Sequence, residues 1–122
     1  MAGRHSRTKG LNFERAIVKL FQEHGLAAER VPGSGQAGGS FGGDINVPIL
    51  GIDHRLEAKI QASGFKTIYG WIEGVYGLVL RADRSEPLIC IRLKDFAHLV
   101  RTADGERVKD ASAKTLGSKA YL

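Results

Sequence analysis

Three side chains with complementary chemistry lie within residues 42–61, namely Asp44, Glu57 and Lys59. Successive side chains of an extended strand point to opposite faces, so Glu57 and Lys59 share one face while their apolar neighbours share the other. A turn at residues 51–53 would pair two strands and bring Asp44 to the polar face. Two carboxylates beside an ammonium group predict a divalent metal site. The alternative is an exposed Glu57–Lys59 ion pair worth less than about 1 kcal/mol.

A third acid, Glu14, lies on the clearest amphipathic helix of the sequence. This helix is predicted to begin after an N-cap at Asn12 and to end near His24, before Gly25. At about 100° per residue, Glu14 borders the apolar stripe that starts at Phe13, so its carboxylate can reach over the edge of a sheet. Alternatively, Glu14 is simply an acid in the first helical turn, where the positive end of the helix dipole stabilises its negative charge.

The elements that must position these residues follow in chain order. Residues 27–31 are predicted to form a short strand ahead of the central strand pair, and residues 77–82 and 87–93 are predicted to form a hairpin that completes the sheet. A second helix would begin at Ser63 or Thr67, and a last helix would be capped by Asp95. The order α-β-β-β-α-β-β-α predicts an α/β fold with a mixed sheet flanked by helices.

Two segments have more than one interpretation. Half of residues 32–43 are glycine, in a pattern that fits neither the Walker nor the dinucleotide-binding motif. This segment is either a surface loop or a loop that closes around phosphates, with Ser34 as a hydrogen-bond donor. On the second helix, Tyr69 and Trp71 could stack on bases, but their helical spacing favours a core or interface role.

Composition sets the remaining limits. A chain of 122 residues with 43% hydrophobic residues predicts one domain over residues 1–122, and no apolar run is long enough for a membrane span. A net charge of +5 attracts polyanions. Residues 1–10 form a basic arm, and residues from about 102 to 122 form a polar tail that we expect to be flexible. Cys90 is expected to pack as a small hydrophobe, and the protein is expected to be cytoplasmic.

The pairing of Gly43-Asp44 with Glu57-Ala58-Lys59 resembles the PD-(D/E)xK nuclease motif without its usual proline. Residues 9–10, 13–15, 20–25 and 30–34 resemble the opening of archaeal-type Holliday junction resolvases and their phage relatives. The likeness covers roughly residues 9–61. It implies a restriction-endonuclease-like core and a homodimer that uses magnesium to cut branched DNA in recombination and repair.

Position by position, the resemblance also implies roles for individual residues. The implied active-site residues are Glu14, Asp44, Glu57 and Lys59. The implied DNA-binding residues are Arg15, Arg30, Ser34 and Gln61. Asp44 and Glu57 would bind Mg²⁺, for which Mn²⁺ would substitute, and Glu14 would act through a metal-bound water or in a second layer around the metal. Lys59 would either orient or deprotonate the attacking water, or stabilise the developing charge.

Two other functions stay open at this point. A related nuclease of the same superfamily could nick, trim or restrict DNA without preferring four-way junctions. A non-catalytic nucleic-acid-binding module could retain the acids by chance, although paired carboxylates repel phosphate and add nothing to binding. If a virus encodes the chain, we expect the protein to act in the host cytoplasm.

Overall fold

Helices and strands follow one another in the predicted order. The structure is a computed structural model that describes residues 2–31 and 44–121, with side chains described over 7–31 and 44–110. Its elements are α1 (Ala2–Glu23), β1 (Glu29–Arg30), β2 (Ile45–Ile49), β3 (Ile52–Leu56), α2 (Lys66–Ile72), β4 (Gly77–Leu80), β5 (Leu88–Ile91) and α3 (Leu93–Tyr121). The α/β class is therefore confirmed. Ser34 and the glycine-rich segment lie outside the described residues.

Helix α1 differs from its prediction at one end. It begins at Ala2 and continues through Asn12, so a cap at Asn12 is wrong. A glycine inside a helix costs only about 1 kcal/mol, and a Cβ added at Gly10 would meet nothing within 4 Å, so that position is under no steric constraint. Residues 2–10 of the predicted basic arm are thus the first part of α1. The other end is as expected, with Gly25 in a left-handed conformation (φ 81°).

The hydrophobic core lies between α1, the central sheet and α3. The predicted stripe of α1 supplies Ile17 and the fully buried Phe21, and the inner face of β2 supplies Ile45 and Val47. From α3, Phe96 packs edge-to-face on Phe21, with ring centroids 6.3 Å apart. These contacts fix α1 and β2 relative to each other, and both elements carry candidate site residues.

The central sheet is antiparallel, with strand order β1-β2-β3. Strands β2 and β3 form the predicted hairpin, but its turn is at Leu50 and Gly51 rather than at residues 51–53. Both turn residues have positive φ, 53° and 82°, as the two-residue type I′ turn requires. Glycine meets this requirement without strain at the second position. The shorter turn places Asp53 within β3, opposite Pro48.

Strands β4 and β5 also form the predicted antiparallel hairpin, in a register that pairs Val79 with Ile89. Among the described residues this hairpin is a separate two-stranded sheet, so the prediction that it completes the central sheet is wrong. It packs with α2 instead. Arg92 joins the two elements, since its guanidinium donates hydrogen bonds to the carbonyls of Ile72 and Val75 at 3.1 and 2.9 Å.

The exposure of the aromatic residues of α2 excludes one of the roles predicted for them. Tyr69 and Trp71 expose 74% and 61% of their surface, so neither belongs to the core. Only Ile72 of α2 is buried. Interface and base-stacking roles remain for the two aromatic residues.

Helix α3 begins at Leu93, before the predicted cap at Asp95, and includes most of the segment predicted to be a polar tail. Among the helix residues whose side chains are described, Ala97 and Val100 are buried, while Leu99 is 52% exposed. Cys90, which precedes α3 in β5, is half-buried. No helix within the described part of the chain is long and apolar enough to cross a membrane.

Candidate active site

Asp44 is the most firmly held of the candidate residues. Its backbone extends the ladder of the central sheet on both sides: its N–H donates to the Leu56 carbonyl at 2.8 Å, and its carbonyl accepts from the Val31 N–H at 2.9 Å. Its side chain also has a fixed partner, because Oδ2 accepts a hydrogen bond from the Ala58 N–H at 2.9 Å. The carboxylate therefore lies against the chain segment that leaves β3.

That segment carries Glu57 and Lys59. Leu56 and Ala58 are half-buried and pack against the core, and Glu57 and Lys59 face outward, as predicted. The strand predicted to carry them is shorter than expected, because β3 ends at Leu56, and Ile60 is 43% exposed. Glu57 Oε1 and Lys59 Nζ are 3.2 Å apart, with side chains that are 53% and 70% exposed. The pair is open to solvent, so by itself it contributes little to stability, and both groups are accessible to a substrate.

Glu14 reaches the edge of the central sheet, as its position on the border of the α1 stripe predicts. There its Oε1 accepts a hydrogen bond from Arg30 Nε at 3.0 Å. The Glu14 side chain is only 18% exposed, compared with 37% for Arg30. Since Arg30 pairs with Ile45, next to Asp44, the backbone of Arg30 lies one ladder position from that of the aspartate. The sequence did not predict the pairing, and Arg30 was predicted only as a DNA contact.

The other predicted DNA-binding residues are placed less specifically. Arg15 and Gln61 are exposed, and Ser34 lies outside the described residues. Gln61 lies over Gly64, where a Cβ would overlap the Gln61 amide oxygen. With Lys59, Gln61 also lines a cavity whose other walls include Lys66. Sequence reasoning gave Lys66 no role, and the only indication was a second lysine shortly after Lys59.

The donor set can be tested against the needs of a metal ion. In the part of the chain that the structure describes, no group of three or more His, Cys, Asp or Glu side chains could hold a metal together. Glu14, which is paired with Arg30, therefore does not complete a trio with Asp44 and Glu57. Two carboxylates nevertheless fit Mg²⁺, which in proteins commonly has one or two carboxylate ligands, with water and substrate phosphate completing its shell.

An anchored aspartate before one strand and a Glu-x-Lys segment after the next have the order of the PD-(D/E)xK motif, on an α/β core packed on α1. The family model described as archaeal Holliday junction resolvase (hjc) matches residues 5–115. The chain belongs to this family, which is of the metal-dependent nuclease type and acts on DNA. Neither a curated protein nor a solved structure gave a significant match.

Proposed function

We propose that this protein is a Mg²⁺-dependent endonuclease that cuts branched DNA, with the four-way junction as its preferred substrate. The observation that carries the proposal is the hydrogen bond from the Ala58 N–H to Asp44 Oδ2, which fixes the aspartate beside the Glu57-x-Lys59 segment. Membership in the resolvase family supports the substrate class. The net charge of +5 favours approach to the polyanion.

In this proposal Asp44 and Glu57 hold the metal ion. Mg²⁺ bound there supplies charge neutralisation at the scissile phosphate and makes a water molecule a better nucleophile. The rigid attachment of Asp44 matters because a fixed ligand does not have to reorganise during the reaction. Glu57 is exposed and has Lys59 as its partner at 3.2 Å, so a phosphate oxygen can displace Glu57 from the ammonium group.

Lys59 then donates hydrogen bonds at the reacting phosphate. It either orients or deprotonates the attacking water or stabilises the negative charge that develops on the phosphate oxygens. Glu14 does not bind the metal directly and acts through a metal-bound water or in a second layer around the metal. It also holds Arg30 at the edge of the sheet. Arg30, whose backbone pairs with the residue next to Asp44, would bind a flanking DNA phosphate.

We further propose that the protein acts as a homodimer that presents two active sites to two strands of a junction with two-fold symmetry. The supporting observation is the outer face of the β4–β5 hairpin. The paired residues Val79 and Ile89, which share one face of the hairpin, are 76% and 71% exposed. Exposed apolar residues of this kind mark interaction surfaces, so a second copy that covers this face would remove them from water.

One cleavage panel tests the enzymatic proposal. Four-way junction, fork, nicked, linear duplex and single-stranded DNA are each incubated with wild type, in Mg²⁺ and in chelator. We expect the wild type to cleave the four-way junction in Mg²⁺ and not in chelator. Equal cleavage of linear duplex would instead support a related nuclease without junction preference, and failure to cut any substrate would leave only a binding module.

The dimer is tested by measuring molar mass in solution. Val79→Glu introduces a charge into the proposed interface, so we expect it to produce monomers. Val108→Glu is the matched control, because Val108 is 51% exposed on α3, away from the hairpin. A monomeric wild type, or a dimer unaffected by Val79→Glu, would contradict this interface.

A further inference from the structure

A small cavity adjoins the candidate active site, between α1, the chain segment after β3, and α2. Its volume is about 190 Å³, and Lys59, Gln61, Ser63, Lys66 and Tyr69 are among its lining residues. Lys59 belongs both to this wall and to the Glu57 pair. A group in the cavity is therefore a neighbour of the phosphate that Lys59 contacts.

The lining has the character of a nucleotide site. Among the described residues it includes two lysines and no acid, so it attracts phosphate. It also includes aromatic rings: Phe13 and Phe65 are half-buried, and Tyr69 is 74% exposed. An exposed ring stacks on a base, while a nearby ammonium group binds the phosphate of the same nucleotide.

The size of the cavity also determines whether a paired or an unpaired nucleotide can bind. The cavity volume of about 190 Å³ is below the roughly 300–1,000 Å³ of pockets that bury a drug-sized ligand, so it has no room for a base pair. A base inside a continuous duplex has both faces covered by its neighbours. Only a base that has left the stack can offer a face to Tyr69.

We propose that this cavity binds an unpaired nucleotide adjacent to the phosphate that is cut, with Lys66 on its phosphate and Tyr69 stacked on its base. This inference rests on the proposed nuclease function and adds a reason for selecting branched DNA. Moving a base out of an intact duplex costs a few kcal/mol, and the cost is lower where pairing is already disrupted, as at a branch point. Lys66 and Tyr69 are thus DNA-positioning residues.

The stacking contact is tested by changing both the protein and the DNA. Binding is measured in chelator, so that no cleavage occurs, with a junction whose nucleotide next to the mapped cut is either intact or abasic. We expect Tyr69→Ala to weaken binding of the intact junction about tenfold. The abasic junction should bind Tyr69→Ala and wild type equally well. Tyr69→Phe, which keeps the ring, should behave as wild type.

The phosphate contact is tested by the salt dependence of binding. Lys66→Ala should reduce the slope of log affinity against log salt by about one. Lys19→Ala is the matched control: it removes the same charge from a side chain that is 78% exposed and paired with Glu23. The control should leave the slope unchanged. This measurement also stands if Tyr69→Ala alters the oligomeric state.

Two results would overturn the inference while the proposed function survived. One is equal weakening of the intact and abasic junctions by Tyr69→Ala. The other is the same salt slope for Lys66→Ala and wild type. In both cases the wild type would still cleave junctions, whereas a wild type that cleaves no branched DNA would remove the proposed function and this inference together.

Discussion

The ion pair between Glu14 and Arg30 connects α1 to the central sheet at the candidate site, and its strength can be measured by a double-mutant cycle. At 3.0 Å and an effective dielectric constant of about 20, the gross Coulomb attraction is about 5 kcal/mol. Desolvation offsets most of this attraction, and Arg30 is 37% exposed, so solvent screens the pair further. We therefore expect a net coupling of about 1 kcal/mol in the free energy of unfolding.

The assay is urea unfolding of wild type, Glu14→Ala, Arg30→Met and the double variant, at one protein concentration so that any dimer contributes equally. The control cycle uses Lys19 and Glu23, an exposed pair 4.0 Å apart on α1, for which about 0.3 kcal/mol is expected. A Glu14–Arg30 coupling no larger than that of the control would refute the reasoning.

Three further predictions concern stability and turnover. Arg92→Ala should lower the free energy of unfolding by about 2 kcal/mol, because two carbonyls at the end of α2 lose a charged donor. Urea unfolding measures this change, and a decrease below about 0.5 kcal/mol would contradict the prediction. Gly64→Ala should displace the Gln61 side chain and lower the cleavage rate while the circular dichroism spectrum is unchanged; a wild-type rate would mean that Gln61 has no role. Glu57→Gln and Lys59→Ala should abolish turnover but leave junction binding within a few-fold of wild type, whereas lost binding in a gel shift would assign them to DNA affinity instead.

The parts of the fold that follow from local rules were predictable. The alternation of polar and apolar residues around Glu57 and Lys59 predicts which side chains face outward, although the strand that this period of two implies ends at Leu56. Gly51 indicates the hairpin turn, although the sequence does not show that Leu50 also adopts positive φ. The stripe on α1 predicts its core face because burial of Ile17 and Phe21 requires a helical period.

The parts that depend on tertiary structure were not predictable. The start of α1 was missed because a favourable cap at Asn12 competes with continuation of the helix, and the difference is about 1 kcal/mol. The Glu14–Arg30 pair joins residues sixteen positions apart, and no sequence period links them. The anchoring of Asp44 by the Ala58 N–H likewise arises from how two strands meet. The β4–β5 hairpin shows the same limit of prediction. The local pattern predicts that the two strands pair with each other, but it does not predict whether the hairpin joins the central sheet.

The most direct test of the central claim is the single-turnover rate of four-way junction cleavage in Mg²⁺ by Asp44→Asn, compared with wild type. Asparagine keeps an oxygen that accepts from Ala58 but loses the charge that binds the metal, so we expect the rate to fall at least about a thousandfold with the fold intact. Asp53→Asn is the matched control, because Asp53 is an exposed acid of the same hairpin and accepts a hydrogen bond from Asn46. The cleavage rate of Asp53→Asn should equal that of wild type. Undiminished cleavage by Asp44→Asn would contradict the assignment of the metal site and with it the proposed mechanism.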